Sequence, residues 1–278
     1  MMLLNLKTIH EPQTLDEALQ RLAEPGVYPL YGGVALQRSS NQAVEAVIKL
    51  DRLGLDRVEE SDDALTFGSM LSLEQVRTAC LEYADNATTL RALAETIRAD
   101  QPETLRHTMA LGDLLVERDP QSLTLALLLA LGATIRRVDK AMHLTVSSWL
   151  SAEEDLARCL IADISVPFGA AQAGVGIEKV ARTPADAPIV AAVAYIELSE
   201  DDRPAYSALA LVGVAERAIR QKEAERALEE TGDVEQALSA LAVDPPSDHW
   251  GSAEYRAEMA RVTARRALMA AMAQARTA

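Results

Sequence analysis

The first fifty residues alternate between a helical and a strand-like spacing of apolar positions. Thr14 and Glu17 have the spacing of a capping box, which predicts a helix over residues 14–23. Short apolar runs follow at 27–31 and 46–50, and we interpret both as buried strands. Because a crossover separates these two runs, we expect them to pair in parallel.

Farther along, the same two periods mix without an internal repeat. Ser72 and Gln75 form a second capping box, which predicts the start of a helix. Further helices are predicted at 89–97, at 123–131, from near 217 to 241 with a break at Gly232-Asp233, and at 252–275. Further strands are predicted at 64–67, 134–138, 142–146, 159–166, 192–198 and 205–214. This mixture indicates an α+β fold with mixed sheets.

Composition narrows the possible functions. The 42 acidic and 27 basic residues give a formal charge of −15, and only 2 Trp, 6 Tyr and 2 Phe are present. Both facts argue against a nucleic-acid partner. The 2 cysteines exclude a disulfide scaffold, a Cys-rich zinc site and an iron–sulfur cluster bound by this chain alone. The four histidines lack paired metal spacing, so we expect no metal site. No Ser-His-Asp or Cys-His pattern is visible either, although a triad forms in space and local sequence does not exclude one.

The longest apolar stretch, residues 125–131, is much shorter than a membrane span. The first residues also lack the pattern of a signal peptide. We therefore expect a cytoplasmic protein without a membrane span. The acidic run at 59–63 fits a solvated loop better than a metal site.

Two glycine motifs are candidate ligand sites. Gly32-Gly33 directly follows a predicted buried strand, where consecutive N–H groups can bind a phosphate or pyrophosphate. Local sequence alone favours an ordinary turn at the end of a strand, because a Gly-Gly pair is a weak signal. Gly112-Asp113 could form a nucleotide-binding loop, but local sequence favours a helix C-cap or a turn.

The motif Gly174-Val175-Gly176 is not a dinucleotide fingerprint, because it lacks the third glycine and the strand-to-helix context. Lys179 and Arg182 lie beside a proline-containing loop at 183–188. These two cations could face an anionic or redox-active group. Taken alone, they are more typical of solvated charges at a strand edge.

Several motifs nevertheless occur in one order along nearly the whole chain. They are Tyr31-Gly32-Gly33-Val34-Ala35-Leu36, Phe67-Gly68-Ser69-Met70-Leu71-Ser72-Leu73, Leu105-Arg106 with Gly112-Asp113, Asp119-Pro120 before Ala130-Leu131-Gly132-Ala133, Ile161-Ala162-Asp163-Ile164-Ser165-Val166-Pro167, Glu178-Lys179-Val180-Ala181-Arg182 with Ala185-Asp186-Ala187-Pro188, and Ser252-Ala253-Glu254-Tyr255-Arg256 with Ala264-Arg265-Arg266-Ala267-Leu268. In this order the chain resembles the medium, FAD-binding subunit of molybdenum hydroxylases of the carbon monoxide dehydrogenase and xanthine dehydrogenase type.

The resemblance implies two FAD-binding subdomains of the vanillyl-alcohol-oxidase type, at 1–56 and 57–168. It implies a C-terminal α+β domain at 169–278, with a small antiparallel sheet and helices. FAD is the implied cofactor. The implied partners are a small iron–sulfur subunit, which passes electrons to the flavin, and a large molybdopterin subunit, in a homodimer or heterohexamer.

The implied cofactor-binding residues are those of two loops and one lysine. They are Tyr31, Gly32, Gly33, Val34, Ala35, Leu36, Ala110, Gly112, Asp113 and Lys179. The lysine corresponds to a family lysine beside the flavin. None of these residues is expected to be catalytic in the covalent sense.

Both loops depart from the family pattern. In the first, Ala-Gly-Gly-x-Ser/Thr-Leu, Tyr31 replaces the small residue and Ala35 replaces the hydroxyl. In the second, Gly-Thr-Ile-Gly-Gly-Asn, one glycine remains, the Thr is lost and Asp113 brings a negative charge near a pyrophosphate site. Two readings therefore follow: an FAD-binding electron-transfer subunit, or a paralogue that binds no flavin and keeps the fold as a structural or interaction subunit.

Overall fold

The computed structural model describes residues 5–39, 41–83 and 87–278. Its helices are α1 (Leu15–Leu22), α2 (Val34–Ser39), α3 (Leu73–Glu82), α4 (Thr88–Asp100), α5 (Glu103–Thr108), α6 (Leu111–Glu117), α7 (Leu123–Ala130), α8 (Val146–Ser151), α9 (Lys222–Thr231), α10 (Val234–Ser239) and α11 (Ala253–Ala275). Its strands are β1 (Thr8–His10), β2 (Val27–Leu30), β3 (Ala46–Lys49), β4 (Val58–Glu60), β5 (Ala64–Gly68), β6 (Thr134–Arg137), β7 (Met142–Thr145), β8 (Ile161–Pro167), β9 (Ala173–Val180), β10 (Val190–Leu198), β11 (Pro204–Val212) and β12 (Ile219–Arg220). None of the described helices is long and apolar enough to cross a membrane.

The described residues form two compact units. Unit 1 comprises the chain up to Ala79 together with Gln101–Arg118 and Thr134–Ser165. Unit 2 comprises Cys80–Asp100, Asp119–Ala133 and Val166–Ala278. Each unit is therefore assembled from separate stretches of the chain.

Unit 1 contains two sheets within its described residues. In the first, β3 lies between β1 and β2 and pairs in parallel with both, so that Val47 lies opposite Tyr28. The second sheet has the order β4-β5-β8-β6-β7. In the first sheet, Tyr28 and Val47 pack with Leu36 of α2 in one apolar cluster. This cluster fixes the start of α2 at the end of β2.

Unit 2 is built around an antiparallel sheet of four described strands in the order β12-β11-β10-β9. The central strand β10 is almost continuously apolar, and nearly all of its residues are buried. Helices α9, α10 and α11 supply the apolar side chains that pack on it, among them Leu228, Leu238 and Leu268. The α+β class and the antiparallel sheet with helices in the C-terminal part are thus confirmed.

Most of the predicted elements are confirmed, and the corrections at this level concern α9 and the strands β9 and β4. The helix expected from near 217 begins at Lys222, because Ile219–Arg220 pairs with β11 as strand β12. Residues 173–180 form strand β9, which the sequence pattern did not indicate. Part of the acidic run expected to be a loop is also a strand, because Val58–Glu60 pairs with β5.

Candidate functional site

The glycine loop, residues 31–36, connects β2 to α2 in unit 1. Gly33 has a φ of +90°, a conformation that suits glycine. At Gly32 the requirement is space, because a Cβ there would lie 2.3 Å from the Thr108 carbonyl oxygen and 2.6 Å from Asp113 Oδ2. Both glycines are therefore needed for the loop to contact the segment 108–113.

The segment 108–113 is fixed from its other side by backbone hydrogen bonds. Leu73 N donates to the Met109 carbonyl over 3.0 Å, and Leu111 N donates to the Leu71 carbonyl over 2.8 Å. Gly112 N donates to the Ser69 carbonyl over 2.8 Å. The turn opened by the Ser72–Gln75 capping box therefore positions the second candidate loop.

The expectation of a C-cap or turn at Gly112-Asp113 is wrong. Both residues lie in the first turn of α6, which Ala110 precedes as its N-cap. Ala110 has no side-chain oxygen to mark a helix start, so the glycine alone suggested a helix end. Asp113 at the third helical position accepts the Ala110 N–H instead, with Oδ2 3.2 Å from the nitrogen.

The Asp113 carboxylate also binds the glycine loop. Its Oδ1 accepts a hydrogen bond from the Ala35 N–H over 3.2 Å. The N–H groups of Val34 and Gly32 act on the same carboxylate and lower its pKa, as does that of Ala110. The residue is only 1% exposed, and this burial outweighs the four amides, so the pKa of Asp113 is raised. The glycine loop thus donates to an anionic group, and that group belongs to the chain itself.

Tyr31 lies beneath this arrangement. Its hydroxyl donates to the Cys159 carbonyl over 2.9 Å and accepts from the Ile161 N–H over 2.8 Å. Its ring packs against Gly112 so closely that a Cβ on that glycine would lie 2.2 Å from the ring. The bulk of Tyr31 is directed into the protein interior, where burial raises the pKa of its hydroxyl.

Lys179 lies on β9 in unit 2. Its ammonium donates to the Pro184 carbonyl over 2.8 Å and to the Asp186 carbonyl over 3.2 Å. The side chain lines a cavity of about 440 Å³ together with Arg91 and Glu95 of α4. Lys179 is therefore placed by the proline-containing loop and borders a space of a ligand's size.

The remaining site residues of the glycine loop serve packing. Ala35 and Leu36 are buried, and Val34 is half-buried. With Arg38 and Glu117, which form an ion pair at 2.8 Å, Ala35 and Leu36 border a cavity of about 220 Å³ in unit 1. The loop therefore presents backbone amides, and no hydroxyl, to any bound group.

Sequence reasoning missed the ion-pair brace that supports segment 108–113. Glu74 of α3 accepts from Arg106 Nε over 2.6 Å and also pairs with Arg77. The two arginines hold the pKa of Glu74 at about 2. The signal was the capping box that starts α3 and places Glu74 in its first turn.

Neither cysteine offers an activated thiol. Cys80 and Cys159 are both buried and free. Burial raises the pKa of the Cys159 thiol to about 12, and that of Cys80 is also raised. These thiols therefore remain protonated and inert near neutral pH.

Two protein-family models match this chain and together cover most of its length. Residues 5–169 match the model of the FAD-binding domain in molybdopterin dehydrogenase. Residues 177–271 match the model of the CO dehydrogenase flavoprotein C-terminal domain. The chain belongs to the FAD-binding family of molybdopterin dehydrogenases. The motif-based resemblance to the medium subunit of this family is confirmed, and FAD is the family's cofactor.

Individual proteins are similar to this chain, in sequence or in fold, over nearly its full length. The chain is 25% identical to the 6-hydroxypseudooxynicotine dehydrogenase complex subunit alpha of Paenarthrobacter nicotinovorans, over 95% of this chain and 93% of the relative. The fold matches that of a chain of reconstituted CO dehydrogenase from Oligotropha carboxidovorans, with a TM-score of 0.82 and 23% identity over 96% of this chain and 98% of that one. It also matches a chain of quinoline 2-oxidoreductase from Pseudomonas putida 86, with a TM-score of 0.83 and 21% identity over 99% of each chain.

The glycine loop has donors that suit the pyrophosphate of FAD, but the Asp113 carboxylate already uses them. The Ala35 amide donates to a carboxylate, and the amides of Gly32 and Val34 favour the charge of that carboxylate, so these amides are suitable donors for a pyrophosphate. The same donors are engaged by Asp113, so a second anion and this carboxylate cannot use them together. The site is thus chemically suited to a phosphate group, but its donors are already bound.

Proposed function

We propose that this chain is the medium subunit of a molybdenum hydroxylase complex and transfers electrons from iron–sulfur clusters through FAD to an acceptor. The partners in this proposal are a large molybdopterin subunit and a small iron–sulfur subunit. The observation that carries it is the hydrogen bond from the Ala35 amide of the glycine loop to an anionic group, in a chain whose family binds FAD. The similarity to one subunit of a dehydrogenase complex supports the division into subunits.

Each candidate residue has a limited task in this proposal. FAD, when bound, supplies a redox-active ring that accepts electrons and passes them on. The glycine loop supplies backbone N–H donors to the pyrophosphate, and Tyr31 fixes the loop's position through its hydrogen bonds to Cys159 and Ile161. The family resemblance assigns to Lys179, in unit 2, the positive charge that favours a reduced, anionic flavin. No side chain is required to form a covalent bond.

A second candidate function is a subunit that binds no flavin and serves structure or partner binding. One observation favours it specifically: the donors of the glycine loop are bound by Asp113. In this alternative the carboxylate takes the place of the cofactor's charge and stabilises the loop permanently.

The test is the flavin content at saturating FAD. The purified chain is incubated with excess FAD, freed of unbound flavin, and examined by visible absorption and by release of flavin on denaturation. The proposal expects a stoichiometric amount of FAD and the yellow colour of a flavoprotein. The matched control is Gly32→Val, whose side chain would meet the Thr108 carbonyl and deform the loop. A wild-type chain that stays colourless at saturating FAD contradicts electron transfer through flavin and favours the second candidate.

A further inference from the structure

We infer that Asp113 is an internal competitor for the anion site of the glycine loop, so that a phosphate-bearing ligand binds there only in exchange for its carboxylate. This inference rests on the proposed function in one respect, namely that the ligand of interest is the pyrophosphate of FAD. It concerns a residue at which the family pattern shows no carboxylate, and it assigns that residue a regulatory effect on ligand binding.

The Asp113 carboxylate lies at the backbone N–H groups of the glycine loop. Asp113 and Ala35 are separated by 78 positions in sequence, yet Oδ1 accepts the Ala35 N–H over 3.2 Å. The amides of Gly32 and Val34 also act on this carboxylate. These three amides belong to the loop that directly follows β2, where the first glycine motif predicts a phosphate site. The carboxylate therefore occupies the donors that a phosphate would need.

The glycine loop packs closely against Asp113 and the segment before it. A Cβ on Gly32 would lie 2.6 Å from Asp113 Oδ2 and 2.3 Å from the Thr108 carbonyl. Gly112, one residue before Asp113, contacts the Tyr31 ring in the same manner. The glycine loop is thus closely packed against the Asp113 carboxylate, which is itself only 1% exposed.

The charge of the Asp113 carboxylate has no cation beside it among the described residues. Within residues 5–39, 41–83 and 87–278, no ion pair involves Asp113, whereas the neighbouring Arg38 is paired with Glu117. The charge of the Asp113 carboxylate is therefore balanced by backbone N–H dipoles and not by a cation. A phosphate bound at the same place would be balanced by the same dipoles. Two anions on these dipoles would repel each other at short range in a buried place. Removal of the Asp113 charge should therefore strengthen phosphate binding.

The experiment compares the wild-type chain with Asp113→Asn and Asp113→Ala. Asn removes the charge at nearly constant shape, and Ala also empties the space at the four amides. Two probes are used separately, inorganic pyrophosphate and FAD. Binding is measured by isothermal calorimetry, and thermal unfolding is recorded with and without each probe. Asp16→Asn is the matched control, because Asp16 is exposed on α1 and its removal changes the net charge equally.

We expect both Asp113 variants to bind each probe at least about tenfold more tightly than the wild type, since a loss of 1.4 kcal/mol of repulsion corresponds to that factor. Asp113→Ala should unfold at a lower temperature than the wild type. Pyrophosphate should raise the unfolding temperature of Asp113→Ala by more than it raises that of the wild type. The control variant should bind like the wild type. If Asp113→Ala does not fold, Asp113→Asn alone provides the affinity comparison.

The outcomes separate the two proposals. Equal affinity of wild type and Asp113→Asn for both probes overturns the competition, whether or not FAD binds well. Failure of every variant to bind either probe also overturns it, because the vacated donors would then not form an anion site. Tighter pyrophosphate binding by the variants, with no FAD binding by any chain, supports the competition and contradicts the flavoprotein function.

Discussion

The ring of Tyr31 occupies the space into which a side chain on Gly112 would project. A Cβ built on Gly112 would lie 2.2 Å from Tyr31 Cδ1, far inside any contact distance. We therefore expect Gly112→Ala to lower the free energy of unfolding by about 2–3 kcal/mol through overpacking. The measurement is urea unfolding followed by circular dichroism.

A double-mutant cycle tests the origin of this loss. Tyr31→Ala removes the ring, so the clash is absent when Tyr31→Ala and Gly112→Ala are combined. The double variant should therefore be destabilised by less than the sum of the two single variants. Strict additivity would show that Gly112 is required for a reason other than the ring.

The Tyr31 hydroxyl joins the glycine loop to strand β8. Tyr31→Phe leaves the Cys159 carbonyl and the Ile161 N–H without this partner in a buried place. We expect a loss of about 1–3 kcal/mol in the free energy of unfolding. Tyr83→Phe is the control, because Tyr83 is exposed. A loss no larger than that of the control would mean that water or another group replaces the hydroxyl.

The sequence predicts those features of this site that depend on neighbouring residues. Thr14 and Ser72 accept the N–H groups of Glu17 and Gln75, as their capping boxes require, and the strands flanking the glycine loop are found with their parallel pairing. These signals lie within a few residues of one another. Local sequence is therefore sufficient for them.

What could not be predicted depends on residues far apart in the chain. The sequence placed a negative charge near the candidate phosphate site, but not the hydrogen bond from Ala35 to Asp113, which spans 78 positions. Strand β9 was missed because Gly174 and Gly176 weaken the strand pattern. These two glycines are explained only by the helix α11 that packs on them.

The two glycines of β9 allow α11 to lie directly on the sheet. A Cβ on Gly176 would lie 2.0 Å from the Ala267 carbonyl oxygen, and one on Gly174 equally close to that of Ala271. Because the obstacle is helix backbone, Gly176→Ala should lower the free energy of unfolding by about 3 kcal/mol. The measurement is chemical denaturation followed by the fluorescence of Trp149 and Trp250, of which Trp250 lies in unit 2.

Val175 supplies the matched control for this prediction. It lies between the two glycines, and its side chain borders the cavity beside Lys179. Its N–H donates to Gln274 Oε1 of α11 over 2.8 Å, a backbone hydrogen bond that an alanine keeps. Val175→Ala should therefore cost about 1 kcal/mol or less, since it removes two methyl groups from a half-buried position. Similar losses for both variants would contradict the close helix contact as the cause.

The Glu74 brace should make stability depend on pH in acid. Arg77 and Arg106 lower the pKa of Glu74 from 4.5 to about 2, so the folded state favours the ionised form. The resulting stabilisation is complete above the unfolded pKa near 4.5 and is lost as the pH falls towards 2. With its side chain 15% exposed, Glu74→Gln should cost about 1–2 kcal/mol at pH 7.

The pH series distinguishes this charge effect from a loss of packing. Urea unfolding of wild type and Glu74→Gln is compared at intervals from pH 7 down to pH 3. The difference in stability should shrink below about pH 4.5, because the Glu74 carboxylate then binds a proton in the unfolded wild type while it stays ionised in the folded state. Glu59→Gln is the control, since Glu59 is 65% exposed and lies 3.6 Å from Arg57 in an exposed pair that contributes little. A difference between wild type and Glu74→Gln that stays constant over this range would mean that the brace acts by shape and hydrogen bonding rather than by the charge of Glu74.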